Sequence, residues 1–191
     1  MRWRVSWPPK CRPGRTNISI HFIPMESSSR YGTITKGPEG YSVRIERLFA
    51  YPMEQVWQAI TDPTKVAIWL AEVTMELEEG APMRLHFTNT NCDCRGEVTR
   101  IKQPSLLEYT WQLEQEPPSL VRWELFPVGN MACRLVLTHQ QLTGDVSSFA
   151  AGWHVHLDIL EELLNDKVDS FYWTWQMWKP KYEEYKERFK P

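Results

Sequence analysis

The hydrophobic period of this chain changes along its length, and that change limits the fold more than any other feature. Between Val73 and Leu137 apolar residues recur at every second position, segment after segment. Met83, Leu85 and Phe87 point one way while Arg84, His86 and Thr88 point the other. The alternation returns in Leu107, Tyr109, Trp111 and Leu113, again in Val121, Trp123 and Leu125, and again in Cys133, Leu135 and Leu137. A period of two sends successive side chains to opposite faces of a strand. The breaks at Glu78-Glu79-Gly80, Asn89–Asp93, Gln103-Pro104, Pro117-Pro118 and Gly129-Asn130 are short and rich in turn residues. Strands joined in this way form an antiparallel meander with one apolar face and one wet face.

From Trp153 the period becomes helical. Trp153, His156, Leu157, Leu160 and Leu164 share one face, and Asp158, Glu161 and Glu162 occupy the other. An amphipathic helix that follows a one-sided sheet covers that sheet with its stripe. Upstream, Tyr41, Val43 and Ile45 alternate as a first strand. Pro52 then opens a short helix carrying Val56, Trp57 and Ile60, and Asp62-Pro63 starts a second with Val66, Trp69 and Leu70. The pattern predicts an α+β domain. Its curved antiparallel sheet has about six or seven strands, wraps a long C-terminal helix, and is preceded by two short helices after the first strand. Trp175, Trp178, Tyr182, Tyr185 and Phe189 then fall at helical spacing, with Pro180 expected to end one piece and begin the last helix. This stripe reads as packing on the outside of the domain or as a protein-binding or homodimer surface.

Residues 1–30 differ from the rest and read as a basic, Pro-containing tail, with the domain spanning 31–191. Arg2, Arg4, Lys10, Arg12 and Arg15 precede Met25 without one acidic residue, which leaves 17 basic against 24 acidic residues and a charge of -7 from Met25 onward. Three readings stand open: a basic arm, a disordered tail, or sequence upstream of a true start at Met25. The whole chain carries a net charge of -2, which excludes a dominant attraction to nucleic acid. No apolar run is long enough to span a membrane. Four scattered cysteines do not make a disulfide framework, and a cytoplasmic protein is expected. Neither nucleic acid nor membrane is an expected partner.

The runs RIERLFAYPMEQVWQAITDPTKVAIWL, LLEYTWQ, VRWELFPVGNMACRLVLTH and AGWHVHLDILEELL, in this order, resemble the SRPBCC superfamily of START-like and Bet v 1-like helix-grip domains. Within it they resemble the family of the activator of heat-shock-protein-90 ATPase homologue. The resemblance spans about Tyr31 to the C-terminus. It implies a cavity between sheet and long helix that takes an apolar ligand, and it places the opening of the long helix at Gly152-Trp153. Members include binding proteins, cyclase-like enzymes and co-chaperones, so it does not imply one activity.

The residues themselves carry little catalytic signal. There is no Gly-rich phosphate loop, no nucleophile elbow and no metal-ligand helix motif. Cys92-Asp93-Cys94 offers two thiolates at a hairpin tip, but zinc needs two more ligands and no spacing brings His86 or His139 there. The pair reads as free thiols, and no metal or cofactor is expected. His154 and His156 diverge by roughly 200° around a helix. His156 shares the apolar face and is either a hydrogen-bonded core residue or an acid, base or donor in the cavity.

The expected function is to bind a small hydrophobic or aromatic ligand in a cavity lined by Trp69, Phe87, Trp111, Trp123, Trp153, His156 and Leu160. The alternatives are a co-chaperone-like module acting on a large ATPase through its surface, and a cyclase- or hydrolase-like enzyme using the same cavity. No catalytic constellation is evident.

Overall fold

The computed structural model describes residues 30–114 and 116–190. The basic arm, with its candidate start at Met25, lies outside the described residues. An eight-stranded antiparallel sheet has the order β1-β2-β8-β7-β6-β5-β4-β3. Its strands are β1 (Thr33–Gly37), β2 (Gly40–Phe49), β3 (Glu72–Met75), β4 (Pro82–Phe87), β5 (Cys92–Lys102), β6 (Leu106–Leu113), β7 (Ser119–Val128) and β8 (Ala132–Leu142). Helices α1 (Met53–Thr61) and α2 (Pro63–Trp69) follow β2, and α3 (Val146–Leu164) and α4 (Trp175–Arg188) follow β8.

The sheet forms because each strand from β4 to β8 has one apolar face to bury. Val121, Trp123 and Leu125 of β7 are buried with Arg122 and Glu124 between them, and Leu135 and Leu137 of β8 are buried on the same side of the sheet. Register shifts between Tyr41 and Val43 in β2, and between Val98 and Arg100 in β5, interrupt the ladder. Such irregularities bend a strand and increase its twist, which suits a sheet that curls around a helix. α3 crosses the concave face and buries Trp153, Leu157, Leu160 and Leu164. Asp62 joins the two short helices. It ends α1, and its carboxylate accepts the backbone N–H groups of Thr64 and Lys65 at the start of α2.

Three boundaries differ from the sequence expectation. An eighth strand, β1, pairs with β2 from Thr33↔Arg44 to Gly37↔Gly40. Its residues are mostly exposed, so backbone hydrogen bonds form it and no hydrophobic alternation announces it. α3 starts at Val146 and not at Gly152-Trp153, because Asp145 caps it through the Ser148 N–H at 3.3 Å. α4 runs through Pro180 as one helix. The missing proline N–H removes one backbone bond near the N-terminal end of the helix, and anchoring farther along offsets it.

That anchor is Tyr185, which is fully buried. Its hydroxyl accepts the Gly32 N–H at 2.8 Å and lies 3.1 Å from His154 Nδ1. α4, the start of β1 and the outer side of α3 therefore meet at one oxygen. Tyr185→Phe leaves both partners buried and unpaired, and is expected to destabilise the domain by about 1–3 kcal/mol. Urea denaturation at pH 7 measures this; a change within the error of the midpoint would remove the hydroxyl from that role.

Candidate functional site

One face of α3 meets the sheet beside α2, and the space between β4, β5, β6, α3 and the segment after α3 is not filled. It forms a cavity of about 660 Å³. Phe87 at the end of β4, Trp111 on β6, and Trp153 and His156 on α3 line its inner side. Their rings pack against one another: Trp111 meets Trp153 edge to face at 5.3 Å and Phe87 at a tilt at 5.8 Å between ring centroids. Trp173, Trp175 and Trp178 line the outer side, and Trp173 and Trp175 are 5.0 Å apart and nearly perpendicular. Gly152 also lines the cavity, and a side chain there would meet nothing within 4 Å.

Of the seven residues the sequence pointed to, Phe87, Trp111, Trp153 and His156 line this cavity. Trp69, Trp123 and Leu160 do not; they are 1%, 2% and 0% exposed and belong to the closed core. Trp69 donates its indole N–H to the Ala59 carbonyl, and Trp123 donates to the Tyr109 hydroxyl at 3.0 Å. Between them, with their neighbours, they leave a void of only about 10 Å³. The side chains of α2 fill that end of the helix–sheet space, so inward-facing positions there meet core and not cavity.

Sequence reasoning missed the outer wall. Trp175 and Trp178 were visible as a helical stripe and Trp173 lay just before it, but the period does not say that the chain folds back across the cavity mouth. Trp178 stacks on Tyr182 at 4.5 Å and 13°, and Tyr182 donates to Asp145 at 2.7 Å, which ties α4 to the cap of α3.

A buried relay fixes Trp153. Its indole N–H donates to His139 Nδ1 at 2.9 Å, so the His139 proton resides on Nε2 and is donated to Ser119 Oγ at 2.8 Å. Ser119 in turn donates to the Trp111 carbonyl at 3.1 Å. Burial drives the His139 pKa down to about 3, so the relay is neutral at pH 7.

His154 and His156 diverge as their spacing requires. His154 faces Tyr185 and, at 3.5 Å, Asp158, whose other neighbours are Arg30, Arg47 and Lys181. His156 donates Nδ1–H to the Trp69 carbonyl at 2.7 Å, which leaves Nε2 as a lone-pair acceptor. Burial lowers its pKa to about 4. Its ring neighbours are Phe87, Trp153, Phe171 and Trp173. Among the described residues no carboxylate hydrogen-bonds to His156, so the charge partner that would tune it for acid–base chemistry is not in place.

Cys92 and Asp93 belong to β5 and not to a hairpin tip, because β5 pairs with β4 through Phe87↔Cys92. Cys94 faces the core, where burial pushes its thiol up to about 12, and Cys92 faces the cavity. Asp93 points outward to Arg84 and to His86 Nδ1 at 2.8 Å. No group of three or more His, Cys, Asp or Glu suited to a metal ion occurs among the described residues. No described helix is long and apolar enough to cross a membrane.

Known proteins place this geometry. CalU16 from Micromonospora echinospora is 24% identical, with 85% of this chain and 96% of CalU16 covered and a TM-score of 0.67. The protein encoded by gene BPP1335 of Bordetella parapertussis is 28% identical, with 85% and 94% covered and a TM-score of 0.65. PFC0360w from Plasmodium falciparum, an HSP90 activator, is 22% identical, with 65% and 96% covered and a TM-score of 0.57. CalU16 and PFC0360w therefore speak for the helix-grip fold alone. No curated protein matches the chain in sequence. The family model described as activator of Hsp90 ATPase homolog 1-like protein matches residues 50–165, well over half of the sequence. The chain belongs to the activator of Hsp90 ATPase homolog 1-like family.

Proposed function

We propose that this domain binds a small hydrophobic or aromatic molecule in the cavity between its sheet and α3. The observation that supports the reading most strongly is the lining: about 660 Å³ faced by Phe87, Trp111, Trp153 and His156 inside and by three tryptophans outside. Apolar pockets of this size with a few polar groups are the usual form of a small-molecule site. A planar ligand of about 15 heavy atoms binds with micromolar affinity at ordinary ligand efficiencies.

Native mass spectrometry of the protein purified from its own host tests this directly. A stoichiometric small molecule, released on denaturation, is the expected result. Trp173→Ala is expected to weaken its binding at least tenfold while the melting temperature holds, since Trp173 is only half-buried and lies outside the helices. An empty protein whose Trp173→Ala variant matches the wild type in every ligand titration would overturn the reading.

A second reading, action on a large ATPase through the protein surface, rests on one observation. Trp175 is 59% exposed beside Trp178 at the C-terminal end of the domain. Exposed aromatic clusters mark interfaces. PFC0360w, a distant relative in fold, is an HSP90 activator. This reading predicts that Trp175→Ala abolishes capture of a chaperone from lysate.

A further inference from the structure

Two of the residues lining the cavity carry a polar group that the protein does not satisfy. Trp111 Nε1 and Trp173 Nε1 are both buried and have no hydrogen-bond partner among the described residues. Buried N–H donors are normally paired, so each such exception needs a cause. Trp111 is 5% exposed, and its neighbours cannot serve it. Its ring lies 5.5 Å from His139, but both ring nitrogens of that histidine are already engaged, one by Trp153 and one by Ser119. Phe87 and Trp153 offer no acceptor in their side chains. Trp173 stacks near His156 at 22° and 6.3 Å between centroids, with no hydrogen bond between them. Other cavity tryptophans differ: Trp153 donates to His139 and Trp178 to the Ser148 carbonyl. Unmet donors are therefore a property of two particular walls, one inner and one outer.

The charge of the lining narrows the choice further. Among the described residues no Lys or Arg lines the cavity, whereas Glu114 and Glu116 do. Burial pushes the Glu116 carboxyl up. An anionic ligand would meet two carboxyl groups and no cation. The acceptor that suits the two indoles is a neutral one.

Resting on the reading of the cavity as a binding site, we propose that it selects neutral, planar aromatic compounds bearing a carbonyl oxygen, which accepts the indole N–H of Trp111 or of Trp173. A carbonyl oxygen has two lone pairs and lies in the plane of the rings to which it is conjugated. It therefore bonds at the edge of a flat ligand while the aromatic faces stay on Phe87 and Trp153.

Three probes on one tricyclic skeleton separate the possibilities: fluorene, which has no acceptor, 9-fluorenone, which has one carbonyl, and fluorene-9-carboxylate, which is an anion. Quenching of tryptophan fluorescence gives each affinity. Fluorenone is expected to bind about tenfold more tightly than fluorene, the worth of one buried hydrogen bond, and the carboxylate more weakly than either. Trp111→Phe and Trp173→Phe together are expected to bring the fluorenone-to-fluorene ratio to about one. Should Trp111→Phe fail to fold, nitrogen-15 NMR of the wild-type indole groups gives the same answer. A Trp111 or Trp173 N–H resonance shifts with fluorenone and not with fluorene. Equal binding of fluorene and fluorenone with unmoved indole resonances would overturn the carbonyl proposal and leave the cavity reading standing. Tightest binding of the carboxylate would also overturn it. If none of the three binds, the cavity reading itself falls, and the carbonyl proposal with it.

Discussion

Lowering the pH from 7 to 5 is expected to cost this domain a large share of its stability. Three histidines are buried in neutral form. Loss of hydration drives His139 to about 3 and His154 and His156 to about 4, against 6.5 for an exposed histidine. His154 feels Asp158 pulling its pKa up and Lys181, Arg47 and Arg30 pushing it down, but burial dominates. Their folded pKa values are depressed, so below pH 6.5 the unfolded chain takes up protons that the folded chain refuses. The stability is complete above pH 6.5 and is lost progressively as pH falls toward 4 and 3. Each proton contributes a slope of about 1.4 kcal/mol per pH unit, so three give about 4 kcal/mol per pH unit and a loss of about 6 kcal/mol in all by pH 5. Against a typical total of about 5–15 kcal/mol, that loss is a third or more of the stability, and the urea midpoint falls with it. Urea midpoints measured from pH 8 to pH 4.5 check this: a plateau above pH 7 and a steep fall below 6.5 are expected. His139→Gln should remove about a third of the slope. A flat profile down to pH 4.5 would show that these histidines are protonated in the folded state.

The largest effect of a single methyl group is expected at Gly96. A side chain there would land on the Thr110 carbonyl oxygen of the neighbouring strand and sit 2.8 Å from its carbon. The backbones approach this closely because the Glu97 N–H reaches the Thr110 hydroxyl at 2.9 Å, next to the irregular stretch of β5. Both obstructing atoms are main chain, so no rotamer change relieves the clash, and β5 must separate from β6. Gly96→Ala is expected to cost about 4 kcal/mol or to prevent folding. Gly152→Ala is the matched control. That residue is helical with open space before it, and alanine there is expected to stabilise by up to about 1 kcal/mol. Thermal melts of the two variants should move in opposite directions. A Gly96→Ala protein that melts with the wild type would mean that β5 and β6 are not held as close as described.

Much of this architecture was legible because burial imposes a period. Met83 and Leu85, or Trp123 and Leu125, alternate with polar residues since only one side of their strands meets the core. Where burial imposes nothing, the sequence is silent. Thr33–Gly37 joins the sheet through its backbone, and Val146–Ala151 extends α3 from a cap that its apolar stripe does not mark. The cavity was legible in part for a related reason. Inward orientation is a property of strand period, and Trp111 and Trp123 share it. What separates them is position along the helix–sheet space: Trp123 meets Trp69 from α2 at 5.8 Å, whereas Trp111 has no helix of that kind above it. Trp173, Trp175 and Trp178 required knowledge of where the chain turns after α3, which no local pattern supplies.

The pairing of β2 with β8 fixes when this molecule can finish folding. Phe49 lies against Cys133 and Val43 against His139, so a strand near the start of the domain waits for one made much later. β3 to β8 pair with their sequence neighbours and can assemble locally, while β1 and β2 form at best a lone hairpin, which is marginal in water. Bringing the two parts together closes a long loop, and contacts of that span slow folding. During synthesis the apolar faces of Val43, Ile45 and Phe49 therefore remain uncovered until β8 has left the ribosome, and Gly32 has no partner until Tyr185 follows. The cavity is a late product of the chain, complete only when its last helix arrives.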